Sequence, residues 1–143
     1  MGCILRARDL AAQREVAMKV VLRANADLEL IDRFTREARI VAHLEHPNIV
    51  PVHDIGWSIH GDPYFTMTWV QGANLYDLVM RLKEGDGDIV ARKPLRSMLE
   101  DFVKLCDATA FAHSRGIIHL DLKPNNVMIG DYGEVILLDW GLA

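Results

Sequence analysis

The stretch HLDLKPNNVMIG, His119–Gly130, decides the interpretation of this chain. It brings the carboxylate of Asp121, the ammonium of Lys123 and the carboxamide of Asn126 close together, and then continues into an apolar segment typical of a buried strand. A second apolar segment, VILLDWGLA, ends on another carboxylate, Asp139. The two apolar segments flank the turn DYGE and predict a hairpin. This hairpin is expected to hold the polar side chains at its ends.

The composition is that of an ordinary globular protein and argues against several classes of function. The 143 residues are 50% hydrophobic and 25% charged, with a formal net charge of −4, so we expect no nucleic-acid partner. No apolar run is long enough to be a membrane segment, and the first residues lack the apolar region of a signal peptide. Cys3 and Cys106 are interpreted as small apolar side chains in a reducing compartment. We therefore expect a cytoplasmic protein.

The first half of the chain combines strand patterns with one helix pattern. CILRARDL and VAMKVVL have the pattern of strands. From Asp27 to Leu44 the apolar residues recur at three- and four-residue steps, which predicts an amphipathic helix. Two later apolar segments separated by HGDP predict an antiparallel hairpin, and QGAN marks a break near residues 70–74. We place a first domain at residues 1–70.

The second half, residues 71–143, is richer in helix patterns. LYDLVMRLK predicts a short helix, and EGDGDIVARKP is interpreted as a polar connection. Ser97–Arg115 predicts a longer helix that ends at Gly116. Its apolar residues are predicted to form its inner face: Met98, Leu99, Phe102, Val103, Cys106, Ala110 and Phe111.

Taken in order, the motifs of this chain resemble those of the eukaryotic-type protein kinase family, in particular its bacterial serine/threonine kinases. VAMK, FTREARI, HPNIV, YFTMTWVQGANL, HLDLKPNN and DWG resemble successive kinase motifs, from the strand of the ATP lysine to the metal-binding motif. Each motif alone is weak, and their common order is specific. The resemblance implies an incomplete α+β two-lobe fold. Residues 1–70 would be an N-lobe of one antiparallel sheet and one helix, without the first strand and most of the glycine-rich loop. Residues 71–143 would be the hinge and the first part of a helical C-lobe.

The resemblance also implies a set of catalytic and metal-binding residues. Asp121 would be the catalytic base, and Lys123 would lie beside the transferred phosphoryl group. Asn126 and Asp139 would bind Mg²⁺.

The ATP site implied by the resemblance centres on Lys19, with Glu37 as its ion-pair partner. Met67 would be the gatekeeper, and the backbone of Thr68 and Val70 would contact adenine. Asn74 would lie near the ribose or simply cap a helix. The remaining residues of the implied ATP site are Gly2, Ile4, Ala17 and Met128. The same alignment assigns a regulatory column to Val41, Val52, His119 and Trp140, with His119 as a packed, hydrogen-bonded core histidine.

The implied function is transfer of the ATP γ-phosphoryl group to a Ser/Thr hydroxyl of a protein substrate, since the LKPNN form resembles serine/threonine kinases. Two alternatives remain open: a small-molecule phosphotransferase of the aminoglycoside kinase type, and a non-catalytic nucleotide-binding or scaffold module. We expect the isolated 143-residue chain to be inactive or weakly active, with the apolar face of the 97–115 helix partly exposed.

The sequence departs from the kinase motifs at two positions. Leu120 replaces an arginine that in this family often binds a phosphate on the activation segment, and leucine has no hydrogen-bond donor for that purpose. We therefore expect that phosphorylation of the activation segment does not control the protein through Leu120. Trp140 replaces a phenylalanine and is expected to be accommodated by repacking.

Overall fold

The computed structural model describes residues 3–22 and 27–143. The chain forms two compact units: the first is Met1–Glu45 with Val50–Trp69, and the second is His46–Ile49 with Val70–Ala143. Antiparallel strands and a helix make up the first unit, and the second combines helices with short strands. The predicted α+β class is confirmed. The domain boundary at residues 70 and 71 stays a prediction.

The first unit is built on a four-stranded antiparallel sheet in the order β1-β2-β4-β3. Its strands are β1 (Cys3–Asp9), β2 (Arg14–Val20), β3 (Val52–Trp57) and β4 (Pro63–Thr68). Buried and half-buried residues alternate along β4, as expected for a strand whose two faces differ in burial. The hairpin predicted around HGDP is confirmed as β3 and β4.

One helix, α1 (Leu28–Ala42), completes the first unit and confirms the helix predicted from Asp27 to Leu44. It begins at Asp27, whose side chain accepts a hydrogen bond of 2.8 Å from the backbone N–H of Leu30. Its buried residues recur at helical spacing: Phe34, Glu37, Ala38 and Val41. The one charged residue in this buried stripe, Glu37, is therefore directed away from solvent.

The second unit contains three α-helices and a three-stranded antiparallel sheet in the order β5-β6-β7, within the described ranges. Its elements are β5 (Gly72–Asn74), α2 (Leu75–Lys83), α3 (Gly87–Arg92), α4 (Leu95–Ser114), a 3-10 turn (Pro124–Asn126), β6 (Val127–Gly130) and β7 (Val135–Leu137). The predicted hairpin of the last two strands is confirmed. In addition, Asn48 accepts a hydrogen bond of 2.8 Å from Leu137 N and donates its side-chain amide to Val135 O, also at 2.8 Å.

Two elements of the second unit were not predicted. The segment interpreted as a polar connection contains α3, which begins after Asp86; the Asp86 carboxylate accepts hydrogen bonds from the first turn. The QGAN break contains β5. Here Gly72 has a φ of +140°, and a Cβ at this position would lie 2.1 Å from the carbonyl oxygen of Ile129. Glycine is thus required for β5 to approach β6.

The predicted inner face of the 97–115 helix is wrong for this structure. The buried residues of α4 are Asp101, Leu105, Ala108 and Ala112, whereas Leu99, Phe102, Val103 and Cys106 are exposed. The expectation that apolar surface of this helix is partly exposed is confirmed, with Phe102 at 62% exposure. The interpretation of both cysteines as small apolar fillers is also wrong, because Cys3 and Cys106 are exposed.

A buried ion pair joins α4 to the residue that follows α3. Lys93 Nζ lies 2.6 Å from a carboxylate oxygen of Asp101, and both side chains are largely removed from solvent. Lys104 Nζ approaches the other oxygen of Asp101 at 3.6 Å and donates to the carbonyl of Gly133 at 2.9 Å. A buried carboxylate needs such partners, since an isolated charge in the interior is costly.

In the described part of the chain, no helix has the length and apolar character needed to cross a membrane.

Candidate active site

The first unit contains a buried ion pair between strand β2 and helix α1. Lys19 Nζ lies 2.5 Å from Glu37 Oε1, and the side chains are 17% and 8% exposed. The pair forms because Lys19 lies on β2 and Glu37 belongs to the buried stripe of α1. The ion pair expected between these residues is present. The role of Lys19 in ATP binding stays a prediction.

Four of the residues predicted for the ATP site share one face of the first unit's sheet. Ile4 lies directly opposite Lys19, and Ala17 lies directly opposite Met67. Because Ala17 and Lys19 are two positions apart on one strand, the two cross-strand pairs are on the same face. Ala17 and Met67 are buried, and Ile4 is exposed. The sheet therefore presents an apolar surface beside the lysine, as a nucleotide pocket requires.

Thr68 follows on β4. Its backbone N–H is already committed to the carbonyl of Pro51 at 3.2 Å, and its hydroxyl lies 3.2 Å from Nε2 of His53. Any adenine contact from Thr68 would therefore go through its carbonyl oxygen. Val70 belongs to the second unit. Gly2 lies outside the described residues.

In the second unit the catalytic-loop residues converge on the carboxylate of Asp121. Lys123 Nζ donates to Asp121 Oδ2 at 2.7 Å, and Asn126 Nδ2 donates to the same oxygen at 3.1 Å. Among the described residues, no hydrogen bond reaches the other oxygen, Oδ1. One carboxylate oxygen is thus held by the protein, and the other remains available to a substrate hydroxyl.

The same contacts set the charge of Asp121. The hydrogen bond from Lys123 lowers the pKa of Asp121 below its usual 3.8; partial burial opposes this shift, and the hydrogen bond from Asn126 supports it. The carboxylate is therefore ionised at neutral pH. An ionised carboxylate can orient a hydroxyl and accept its proton as the oxygen attacks.

Asn126 has the orientation that a metal ligand needs. Its Nδ2 donates to the backbone carbonyl of Asp121 at 2.9 Å as well as to the Asp121 carboxylate. Both partners are acceptors, so the amide nitrogen must face Asp121 and the amide oxygen must face away. The backbone carbonyl of Asn126 accepts a hydrogen bond of 2.8 Å from the backbone N–H of Leu138, the residue directly before Asp139. An amide oxygen and a carboxylate are the hard oxygen donors that Mg²⁺ prefers, so this pair fits the predicted metal.

His119 connects the catalytic loop with the strand that leads to Asp139. Its Nε2 lies 2.8 Å from the carbonyl oxygen of Leu138, and its Nδ1 accepts a hydrogen bond of 3.3 Å from the backbone N–H of Asp121. A carbonyl oxygen can only accept, so Nε2 of His119 carries a proton and donates it to Leu138 O. His119 is 3% exposed. Its prediction as a packed, hydrogen-bonded core histidine is confirmed.

Trp140 is packed beside His119. The two ring centres are 4.6 Å apart, and Trp140 is 1% exposed. Its indole Nε1 is buried and has no hydrogen-bond partner within the described ranges. The larger ring is thus accommodated, as expected, at the cost of an unsatisfied donor. Val41 and Val52 of the proposed regulatory column belong to the first unit, and the column stays a prediction.

The motifs gave no signal for the backbone conformation on either side of the catalytic loop. Leu120 has a φ of +58° and Asp139 a φ of +57°, in the left-handed region that side chains other than glycine rarely adopt. Such conformations persist only where surrounding contacts impose them, and they concentrate at functional sites. The hydrogen bonds of His119 to Asp121 N and Leu138 O constrain the backbone beside each of these two residues.

Asn74 and Met128 are neighbours in the sheet of the second unit, where they lie opposite each other on β5 and β6. Asn74 is the N-cap of α2, since its side-chain oxygen accepts a hydrogen bond of 2.8 Å from Asp77 N. The helix-cap interpretation is therefore confirmed, and the contact of Asn74 with the ribose stays a prediction. The described residues contain no cluster of three or more His, Cys, Asp or Glu side chains suited to a metal.

Comparison with known proteins agrees with this arrangement of motifs. The model of the protein kinase domain family matches residues 1–143. The chain belongs to this family. The kinase domain is similar to the serine/threonine-protein kinase PknD of Chlamydia caviae, with 39% identity over 148 aligned residues that include 100% of this chain and 16% of the relative.

The kinase domain is also similar to PknD of Protochlamydia amoebophila, with 36% identity, and to PknD of Chlamydia trachomatis serovar D, with 38% identity. Both alignments include 100% of this chain, and they cover 15% and 16% of these relatives. The chain therefore spans only a small part of the length of the curated kinases that it matches.

Proposed function

We propose that this chain is part of the catalytic core of a serine/threonine protein kinase, which transfers the γ-phosphoryl group of ATP to a Ser or Thr hydroxyl of a protein substrate. The observation that carries the proposal is the hydrogen-bond network of the second unit. In it, Asp121 keeps one oxygen available while Asn126 directs its amide oxygen away from Asp121 and is tied through Leu138 to the segment of Asp139. The names of the relatives support the Ser/Thr class.

In this proposal Asp121 orients the substrate hydroxyl and accepts its proton as the oxygen attacks the γ-phosphorus. The bond between the γ-phosphorus and the bridging oxygen breaks, and ADP leaves. The lowered pKa of Asp121 means that it takes the proton only when the hydroxyl has become acidic through bond formation. Asp121 therefore acts chiefly by orientation, and its hydrogen bonds to Lys123 and Asn126 provide that orientation.

Two lysines would stabilise the phosphate charge. Lys19 would bind ATP phosphate from the first unit, and its buried pair with Glu37 restricts an otherwise flexible ammonium. Lys123 would lie beside the transferred group, since its side chain is 48% exposed while it holds Asp121. Asn126 and Asp139 would hold Mg²⁺, which supplies charge neutralisation at the phosphate oxygens when it is bound. The predicted cytoplasmic location and the protein substrate also belong to this proposal.

Acyl-phosphate labelling tests the proposed ATP site. A probe in which an acyl group is attached to the terminal phosphate of ATP transfers that group to amines close to the phosphates. We expect it to label Lys19 and Lys123 in the full-length protein, in competition with ATP and Mg²⁺, with peptide mass spectrometry as the readout. Lys104, which donates to the carbonyl of Gly133, is a matched control and should show no competition. Labelling of Lys19 and Lys123 that excess ATP does not reduce would contradict the proposal.

Transfer to a protein hydroxyl needs a separate test. The full-length protein should phosphorylate Ser- and Thr-containing peptides or itself. Asp121→Asn should abolish this activity while ATP binding is retained, because asparagine keeps the shape of the side chain and loses the proton acceptor. Phosphorylation of an aminoglycoside, with none on peptide or protein, would favour the small-molecule alternative instead.

A further inference from the structure

An aromatic ring lies against the proposed ATP lysine. Phe65 of β4 is directly opposite Lys19 of β2 in the sheet, and Lys19 Nζ lies 5.8 Å from the centre of the Phe65 ring. Phe65 is 2% exposed, so the contact is removed from bulk water. The face of an aromatic ring carries partial negative charge and attracts an ammonium within about 6 Å, more strongly where water is excluded. Lys19 is therefore in contact with the Glu37 carboxylate and with this ring, and both attract its ammonium.

A second ring supports the first. Phe34 of α1 packs on Phe65 with ring centres 5.1 Å apart and an interplanar angle of 36°. Phe34 lies one helical turn before Glu37 on the same buried stripe of α1. Helix α1 is thus joined to the sheet through a ring–ring contact and through the carboxylate–ammonium contact. The ring–ring contact is made by Phe65 and the ionic contact by Lys19, and these two residues are opposite each other on neighbouring strands.

The two attractive groups differ in their effect on the charge of Lys19. The Glu37 carboxylate neutralises the ammonium and competes with phosphate for it. The Phe65 ring is uncharged, so it stabilises the position of the cation without cancelling its charge. A long, flexible lysine side chain benefits from such a contact, because ordering it costs rotamer entropy.

We propose that Phe65 is a positioning residue for Lys19: its ring, supported by Phe34, holds the ammonium where both Glu37 and an ATP phosphate can reach it. This inference rests on the proposed function, since it concerns the lysine assigned to ATP. A purely structural role for Phe65 makes a different prediction. In that case any apolar group of equal size would serve, and the electron density of the ring would have no effect on nucleotide binding.

Fluorination of the ring separates these two roles at nearly constant volume. Replacing Phe65 by 4-fluoro-, 3,5-difluoro- and 3,4,5-trifluorophenylalanine in the full-length protein progressively removes the negative charge of the ring face. We expect the Kd for ATP with Mg²⁺ to rise stepwise by a total of about two- to fivefold, which corresponds to the ~0.5–1 kcal/mol of a moderate cation–π contact. The same series at Phe111 is the matched control. The guanidinium carbon Cζ of Arg115 lies 4.9 Å from the centre of the Phe111 ring, and Phe111 is outside the proposed ATP site.

The outcomes distinguish this inference from the proposed function. The inference is overturned if the Kd for ATP does not change across the fluorinated series at Phe65. It is also overturned if the Kd rises equally across the series at Phe111. When Lys19→Met is also present, fluorination of Phe65 should no longer change the Kd for ATP. A Kd that still rises in this background would also overturn the inference. If Lys19→Met leaves the Kd for ATP unchanged, the role of Lys19 in the proposed function fails as well. If Lys19→Met weakens binding while the Phe65 series is flat, only the positioning role of Phe65 fails.

Discussion

Replacement of Gly72 by alanine is expected to separate β5 from β6 in the second unit. The Cβ of alanine would lie 2.1 Å from the carbonyl oxygen of Ile129 and 2.8 Å from Cα of Gly130. Both obstructing atoms belong to the backbone, so no change of side-chain rotamer relieves the overlap. The strands would have to move apart by about 1 Å or more to reach an acceptable van der Waals distance. That movement disrupts the strand pairing that places Asn74 opposite Met128.

The energetic cost has two parts. A side chain at the φ of +140° that Gly72 adopts costs roughly 1–3 kcal/mol. Loss of the short β5–β6 ladder adds about 0.5–1.5 kcal/mol for each hydrogen bond. We therefore expect a local destabilisation of about 3–5 kcal/mol. Gly85 is the matched control, since it has a φ of +75° and a Cβ added there would meet no described atom within 4 Å. Gly85→Ala should show only strain, about 1–2 kcal/mol.

Hydrogen–deuterium exchange followed by mass spectrometry measures this effect locally, even within a longer protein. Gly72→Ala should accelerate exchange in the peptides covering β5 and β6 by about a hundredfold or more, since 1.4 kcal/mol corresponds to a factor of ten. Gly85→Ala should leave those peptides unchanged. The steric argument fails if Gly72→Ala retains normal protection in β5 and β6, or if Gly85→Ala loses as much protection there.

Three further changes test other contacts. Lys93→Met removes the closer of two lysine partners of the buried Asp101 carboxylate and leaves Lys104 at 3.6 Å, so it should cost about 2 kcal/mol in chemical denaturation. Most of this loss should be recovered when Asp101→Leu is added, and an unchanged midpoint would contradict the prediction. Lys123→Ala removes the main cause of the lowered pKa of Asp121, so the acid limb of the pH profile of kcat/KM should move to higher pH, and an unmoved limb would count against that cause. Phosphomimetic changes in the activation segment of the full-length protein should raise activity little unless Leu120→Arg is also present. A strong response that Leu120→Arg does not alter would refute the role assigned to Leu120.

The sequence was sufficient for elements that bury one face against one partner. Two apolar segments flanking HGDP predicted the β3–β4 hairpin, and helical periodicity predicted α1, whose buried residues form one stripe. The pairing of Lys19 with Glu37 came from the family resemblance, since periodicity alone does not bring a strand lysine to a particular helix residue. The structure agrees with both kinds of prediction at these positions.

Other features had a weak signal or none. Helix α3 is short, and its one clear sign was Asp86 as a capping residue. Helix α4 has apolar residues on several sides, so the sequence did not distinguish the buried Leu105 from the exposed Phe102. The left-handed conformation of Leu120 has no signature in the sequence, because tertiary contacts impose on a leucine a φ that glycine adopts more readily.

The backbone of Leu138 has a consequence for how this domain tolerates sequence change. Its N–H is used by Asn126 and its carbonyl by His119, so the link between the two motifs passes through peptide groups that every amino acid except proline supplies in full. Substitutions at position 138 can therefore vary in size without severing this link, provided the strand still packs. Proline has no backbone N–H, so it is the one replacement at position 138 that removes the hydrogen bond to Asn126 whatever the packing of its side chain.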